Sequence, residues 1–191
     1  MTVAELTRPK ASAQRLWTYD EMVAELPETN LPVELWNGEI IMSPAPHPDH
    51  QRIVRNFFRK LDQLVERRLL GEVLFSPVDV VLTPRRVVQP DVLFIEKARL
   101  NIVSSCVHGA PDLVMEVISA GSWQRDRIQK KALYEQAGVA EYWIIDPDAK
   151  AIEVFTLTKG VYQLHSKATG KTLAKSKLLA GFKTNFIELT A

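Results

Sequence analysis

Three apolar segments, rich in valine, isoleucine, leucine and phenylalanine, follow one another in the middle of the chain and limit what it can fold into. They cover residues 72–83, 87–96 and 110–119, and proline or glycine turns separate them. Segments of this length and composition are typical of buried β-strands. We therefore predict three consecutive strands.

A second strand pattern precedes them. Residues 33–42 hold an Asn-Gly pair between two apolar-rich arms, which is the strongest short signal for a β-hairpin. A two-residue turn at this pair places four residues on one face of the hairpin, namely Glu34, Trp36, Glu39 and Ile41.

Residues 50–69 carry apolar side chains at helical spacing and predict a long amphipathic helix. His50 comes seven residues before Phe57 and so falls on the same, inward face of the first turn. Such a histidine is either a core residue with a satisfied hydrogen bond or a functional group.

Residues 122–138 predict a second helix that ends at Gly138, and residues 141–147 predict another strand. An antiparallel hairpin with a Lys-Gly turn and a final short strand or tail are expected after it. The order of elements predicts an α/β fold, in which helices flank a mixed sheet. We expect residues 15–191 to form a single domain after a loose segment at residues 1–14.

Composition limits the classes of function. The chain has 191 residues and a net charge of +1, so any surface that binds nucleic acid must be local. No apolar run approaches the roughly 20 residues of a membrane helix, and we expect a cytoplasmic protein that does not contact membranes. The single cysteine, Cys106, excludes an intramolecular disulfide and a cysteine zinc site.

Acidic residues interrupt the three apolar segments at Asp79, Asp91 and Glu116. Ionised carboxylates in a buried sheet are costly unless they are paired or bind a cation. Asp112 is about 13 Å from Glu116 along an extended strand, too far to share one metal ion. Asp91 is the better partner, because neighbouring strands are about 5 Å apart and both carboxylates could then bind one magnesium ion.

Lys130 supplies a second possible cation. On an ideal helical wheel it lies at the centre of the apolar stripe with Trp123 and Tyr134, and Asp126 lies one turn earlier on the same face. A lysine at this position either extends to solvent or meets a buried carboxylate. A purely structural ion pair with Glu116 or Asp91 is the alternative to a catalytic role.

The order "QPD", "DLVMEVIS" and a following lysine resembles the PD-(D/E)xK nuclease superfamily. In that pattern the lysine stands two residues after the glutamate, where this chain has Ile118. A lysine displaced to the next helix is a feature of the Uma-type restriction endonuclease family. Residues 17–157 resemble that family, including Asp126, Lys130, Tyr134 and the stretch "GVAEYWIIDP".

The resemblance implies a restriction-endonuclease-like core and metal-dependent hydrolysis of phosphodiester bonds. Asp91 and Glu116 would hold Mg²⁺ or Mn²⁺, and Lys130 would orient water or stabilise negative charge on phosphorus. Glu34 and His50 would close the pocket as an extra ligand or a general acid or base, with Asp79, Asp126 and Tyr134 orienting these groups. The implied partner is nucleic acid, with DNA expected, and cutting both strands of a duplex motivates a homodimer.

Two other functions stay open. The chain could be a catalytically idle domain that binds nucleic acid or a protein, or a hydrolase of smaller phosphate esters, which its near-neutral charge would suit. Histidine metal motifs, nucleotide-binding glycine loops and a serine nucleophile motif are not found in the sequence.

Overall fold

The computed structural model describes residues 15–27, 31–118 and 125–191, with the side chains of Arg125 and Asp126 outside the described part. Its helices are α1 (Tyr19–Glu25), α2 (Pro48–Arg68), α3 (Lys131–Ala137) and α4 (Phe186–Thr190), with a short 3₁₀ helix at Lys97–Ile102. The first strands are β1 (Val33–Trp36), β2 (Glu39–Met42), β3 (Gly71–Phe75), β4 (Val80–Thr83), β5 (Arg86–Val88), β6 (Val92–Glu96) and β7 (Val107–His108). The remaining strands are β8 (Leu113–Val117), β9 (Glu141–Asp146), β10 (Ala151–Thr158), β11 (Val161–Thr169), β12 (Ala174–Lys175) and β13 (Lys183–Thr184).

A six-stranded sheet forms the centre of the molecule, in the order β11-β10-β9-β8-β6-β3. The β8–β9 pair is parallel and its other pairs are antiparallel, so the sheet is mixed, as expected from the sequence. Val92 pairs with Met115 across β6 and β8. Because the two strands are antiparallel, this register places Asp91 beside Glu116.

Both faces of this sheet are buried. One face packs against α2 and the C-terminal segment, where Phe57, Trp143 and Phe182 form edge-on ring contacts. The other face packs against α3 and a second, five-stranded sheet in the order β2-β1-β5-β4-β7. The mixed α/β architecture predicted from the sequence is therefore confirmed.

The N-terminal hairpin has the predicted register, with Glu34 opposite Ile41 and Trp36 opposite Glu39. Asn37 and Gly38 both adopt positive φ, at 51° and 90°, as a tight hairpin turn requires. A Cβ atom at Gly38 would also lie 2.9 Å from the Leu16 Cβ. Glycine is therefore needed here for the close packing against Leu16 as well as for the turn.

The prediction of single strands at residues 72–83 and 87–96 was wrong. Each segment forms two strands, and the two belong to different sheets. The breaks fall at Pro77 and Pro90, which have no N–H to donate to a strand ladder. Asp79 and Asp91 consequently lie in the connections between the sheets rather than inside strands.

The second helix also differs from the expectation of one regular α-helix. Its described part begins with a π-helical turn at Arg125–Lys130, and only then does α3 continue to Gly138, whose positive φ of 87° ends it. A wheel with 3.6 residues per turn does not apply across this turn. Trp123 lies outside the described residues.

The C-terminal hairpin is confirmed as β10 and β11, joined by Lys159 and Gly160. The end of the chain is more structured than expected, since β12, β13 and α4 follow. Residues 1–14 lie outside the described part. Among the described helices, none is long and apolar enough to cross a membrane.

Candidate active site

A cavity of about 440 Å³ opens where the two sheets and the start of α2 meet. Six of its lining residues carry polar groups suited to chemistry, namely Glu34, His50, Gln89, Asp91, Glu116 and Lys130. Five of these were selected from the sequence. They come from β1, α2, the connection between β5 and β6, β8, and the end of the π-helical turn.

The position of Asp91 is set by its neighbours in the chain and by a hydrogen bond from β8. It follows Pro90 and leads into β6, and its Oδ2 accepts a hydrogen bond of 2.7 Å from the Val117 N–H of β8. The same oxygen lies 3.1 Å from Nε2 of His50. The first turn of α2 therefore points its histidine at Asp91, a contact that the sequence did not predict.

Glu116 is 3% exposed and projects from β8 toward the helix that carries Lys130. Its Oε1 accepts hydrogen bonds from Lys130 Nζ at 2.8 Å and from the Tyr134 hydroxyl at 2.7 Å. The two donors are four residues apart and so lie on the same side of the helix. Burial, followed by the charge of Glu116, raises the pKa of Tyr134 well above 10.0, so the hydroxyl stays protonated as a donor.

Glu34 is the second carboxylate that binds Lys130, with Oε1 2.9 Å from Nζ. Its oxygens also accept from Trp36 Nε1 at 3.0 Å and from the Gln89 backbone N–H at 3.1 Å. Burial alone would raise the pKa of Glu34, but the charge and hydrogen bonds of Lys130 together with these two donors lower it below 4.5. Glu34 is thus held as a carboxylate.

The expected ion pair of Lys130 is present in part. Lys130 pairs with Glu116, as one alternative from the sequence had it, but its second partner is Glu34 and not Asp91. The hairpin position of Glu34 gave no indication of this contact, because β1 belongs to the other sheet. Only the packing of the two sheets brings β1 and β8 to the same lysine.

Asp79 does not line the cavity but supports a residue that does. Its carboxylate accepts from the Gln89 side-chain amide at 2.8 Å and from the Tyr19 hydroxyl at 3.1 Å. Sequence reasoning missed Gln89, although its place directly before Pro90 and Asp91 was a usable signal. The side chain of Asp126 lies outside the described residues.

Asp112 is confirmed as separate from this cluster. It is buried, and its carboxylate accepts from the Arg99 guanidinium at 2.5 Å and from the Glu96 backbone N–H at 2.8 Å. This carboxylate is fully used in joining β8 to the 3₁₀ helix. Its role is structural.

The side chains that could hold a metal ion are Asp91, directly before β6, and Glu116, on the neighbouring strand β8. Within the described ranges no group of three or more histidine, cysteine or acidic side chains is arranged around a common point. Two carboxylates suit Mg²⁺, which commonly keeps several water ligands beside one or two protein carboxylates. Among the described side chains that line the cavity, three carboxylates and one lysine give an excess of negative charge that a divalent cation would balance.

Comparisons with known proteins agree with this fold. A crystal structure of a putative nuclease belonging to DUF820 from Anabaena variabilis has a similar fold, with a TM-score of 0.75 and 19% sequence identity. The match covers 91% of this chain and 97% of that one. No curated protein sequence matches the chain. The family model described as Uma2, putative restriction endonuclease, matches residues 19–190, and the chain therefore belongs to that family.

Proposed function

We propose that the protein is a metal-dependent phosphodiester hydrolase that acts as an endonuclease, with DNA as the expected substrate. The observation that carries the proposal is the meeting of Asp91, Glu116 and Lys130 at one cavity. Two carboxylates for a metal ion and one lysine for a phosphate are the groups that this chemistry needs. Membership of a restriction endonuclease family supports the same activity.

Asp91 and Glu116 would hold Mg²⁺ or Mn²⁺ in this proposal. A bound ion would polarise the scissile phosphate and lower the pKa of a bound water molecule. The protein's part is to fix the two carboxylates. The Val117 N–H orients Asp91, and the Tyr134 hydroxyl orients Glu116.

Lys130 would stabilise the negative charge that develops on the phosphate in the transition state, or orient the attacking water. Glu34 and Glu116 hold its ammonium group from two sides, so its position is set before substrate binds. A preorganised charge of this kind needs no rearrangement during the reaction.

His50 and Glu34 are the proposed proton-transfer groups or additional ligands. His50 lies against Asp91 and also lines the cavity, so it can reach both a metal ligand and a bound phosphate ester. Asp79 would act by holding the Gln89 side chain. For Asp126, the supporting role proposed from the sequence is kept.

Cleavage of labelled single-stranded and duplex DNA and RNA, with Mg²⁺, Mn²⁺ or EDTA, tests the proposal. Wild-type protein should cut at least one substrate with metal and none with EDTA. Asp91→Asn and Lys130→Gln should each lower the rate by about 100-fold or more, which is the usual scale for losing one electrostatic group in an active site. The matched control is Lys131→Gln, since Lys131 packs on the Phe155 ring outside the cavity. Full activity of Lys130→Gln would refute the role given to this lysine.

A second candidate function is a catalytically idle domain that binds nucleic acid or a protein. The observation that favours it is that Lys130, Glu34 and Glu116 satisfy one another within the fold. This candidate predicts that wild-type protein binds an oligonucleotide or a protein but cuts nothing with any metal.

We further propose one domain at residues 15–191, located in the cytoplasm, and a homodimer for cutting both strands of a duplex. The cavity that Asp91 and Glu116 line would cut one strand at a time, so two chains would be needed to cut both. Sedimentation with and without duplex DNA tests the dimer, and a monomer under both conditions would refute it.

A further inference from the structure

An aromatic pair of one exposed and one partly buried ring lies near the cavity. The rings of Phe58 and Phe75 meet edge-on with centroids 4.7 Å apart, and Phe75 is 53% exposed. All seven phenylalanines fall within the described ranges, and Phe75 is the only one of them that is more than half exposed. An exposed ring of this size carries an open face on which another flat group can stack.

The position of the pair connects it to the proposed active site. Phe75 is the last residue of β3, and the next residue, Ser76, lines the cavity and donates its N–H to the Asp91 carbonyl at 3.1 Å. Phe58 lies eight residues after His50 on α2, about 12 Å along the helix axis. The rings therefore lie within a few nucleotide lengths of the carboxylates.

Arginine side chains accompany the rings along α2. Gln51, which lines the cavity, is followed by Arg55 and Phe58 at positions i+4 and i+7, so the three residues form one stripe. Arg55 is exposed, and its Nε donates to the neutral side-chain oxygen of Asn56, which leaves its charge in place.

Arg59 is also exposed and lies one turn after Arg55. Two acidic residues, Asp62 and Glu66, come next on this side of α2 and end the positive stretch. On this side of α2, Arg55, Phe58 and Arg59 therefore lie between the cavity and the acidic residues. A polyanion that carries flat groups matches this combination.

We infer that Phe75 and Phe58, with Arg55 and Arg59, bind an unpaired nucleotide next to the phosphate in the cavity, so that the substrate strand is single-stranded nucleic acid at the point where it is cut. The inference rests on the proposed function and adds the class of substrate. A base inside a duplex is already stacked on both faces and cannot use the Phe75 ring. A base in a single strand can stack on it whatever its sequence.

Fluorescence anisotropy tests the inference, with a labelled DNA strand and the same strand annealed to its complement, in EDTA so that metal-dependent cleavage does not interfere. The variants are Phe75→Ala and, as matched control, Leu164→Ala. Leu164 is 52% exposed and lies on β11, at the opposite edge of the same sheet from β3. Circular dichroism confirms that each variant is folded.

Wild-type protein should bind the single strand at least tenfold more tightly than the duplex. Loss of one base–aromatic stack should weaken single-strand binding by about tenfold in Phe75→Ala, and Phe75→Trp should restore it. Leu164→Ala should bind as wild type. Arg55→Gln should reduce the slope of log affinity against log salt by about 0.7, the value for one phosphate contact on a single strand.

Equal or tighter binding of the duplex, or a change below twofold in Phe75→Ala, would overturn the inference. Absence of binding to either form would overturn it as well. The test is separate from that of the proposed function. Binding that depends on Phe75 without cleavage in Mg²⁺ would reject the nuclease and keep this site, whereas cleavage of duplex that ignores Phe75 would reject the site and keep the nuclease.

Discussion

At the scale of single residues, the central feature is a buried lysine held between two carboxylates. Lys130→Met leaves Glu34 and Glu116 buried without their shared cation, and breaking a buried pair in this way costs about 3–5 kcal/mol of the free energy of unfolding. Lys131→Met, the matched control, should cost less than about 1 kcal/mol, because only a partly exposed cation–π contact is lost. Urea denaturation at neutral pH measures both.

The free energy of unfolding that Lys130→Met loses should decrease as the pH falls. In the wild type the pKa of Glu34 is lowered from 4.5, so its stabilising effect is complete above pH 4.5 and is lost as the pH falls below it. Without Lys130, burial raises the pKa of Glu34, and its protonation then relieves the penalty. The difference between the two proteins should therefore shrink as the pH falls toward 4.5, and a difference that does not change with pH would contradict this account.

A pair of tyrosines tests the hydrogen bond to Glu116. Tyr134 donates to a carboxylate at 2.7 Å, whereas Tyr162 donates to the Val139 backbone carbonyl at 2.9 Å. Hydrogen bonds to charged groups contribute about 1.5–3 kcal/mol and neutral ones about 1 kcal/mol. Tyr134→Phe should thus lower the free energy of unfolding more than Tyr162→Phe, and the opposite order in thermal or chemical unfolding would be evidence against a charged Glu116.

At the scale of elements, the sequence predicted the strands better than it predicted which sheet each strand joins. The apolar pattern correctly placed strands within residues 72–83 and 87–96, but strand patterns do not state where a chain changes sheets. Pro77 and Pro90 were the local signals of those changes. The same crossings account for the position of the carboxylates, since Asp79 and Asp91 follow these prolines in the connections between the sheets.

The site could be predicted in part for the same reason. The adjacency of the strands that carry or follow Asp91 and Glu116 was predicted correctly, because it is a local property of β6 and β8. The contact between Glu34 and Lys130 depends on how two sheets pack, and no periodicity encodes it. The π-helical turn before α3 could not be predicted either, because its residues have the composition of an ordinary α-helix.

Another element-scale contact anchors the C-terminal segment. Glu141, at the start of β9, is fully buried and accepts from Trp143 Nε1, the Ser176 hydroxyl and the backbone N–H groups of Lys177 and Leu178. Glu141→Gln replaces one acceptor oxygen with a donor and should cost about 3 kcal/mol, as expected for buried donors left without an acceptor. Hydrogen exchange should also accelerate at Lys177 and Leu178. The exposed control Asp148→Asn should change neither quantity. If the Lys177 and Leu178 amides exchange as slowly in Glu141→Gln as in the wild type, the anchoring role of Glu141 is wrong.

At the scale of the whole molecule, buried titratable groups define a pH range of stability. The lowered pKa of Glu34 removes stability as the pH falls below 4.5. Burial raises the pKa of Tyr134 and of Tyr162 above 10.0, so the unfolded chain loses these protons first and stability falls as the pH rises above 10. Melting temperatures should form a plateau between these limits. Tyr134→Phe should flatten the alkaline decline, and an unchanged decline would show that other groups cause it.

The central claim for the whole molecule is that Glu116 and Asp91 are kept in the cavity to hold a divalent metal ion. Isothermal titration of Mn²⁺ into wild type, Glu116→Gln, Asp91→Asn and the exposed control Asp148→Asn tests it most directly, with and without a non-hydrolysable oligonucleotide. The account predicts binding to wild type and to the control, and a loss of about tenfold or more in affinity in each cavity variant. Equal binding in all four proteins, or none to wild type even with the oligonucleotide, would contradict it.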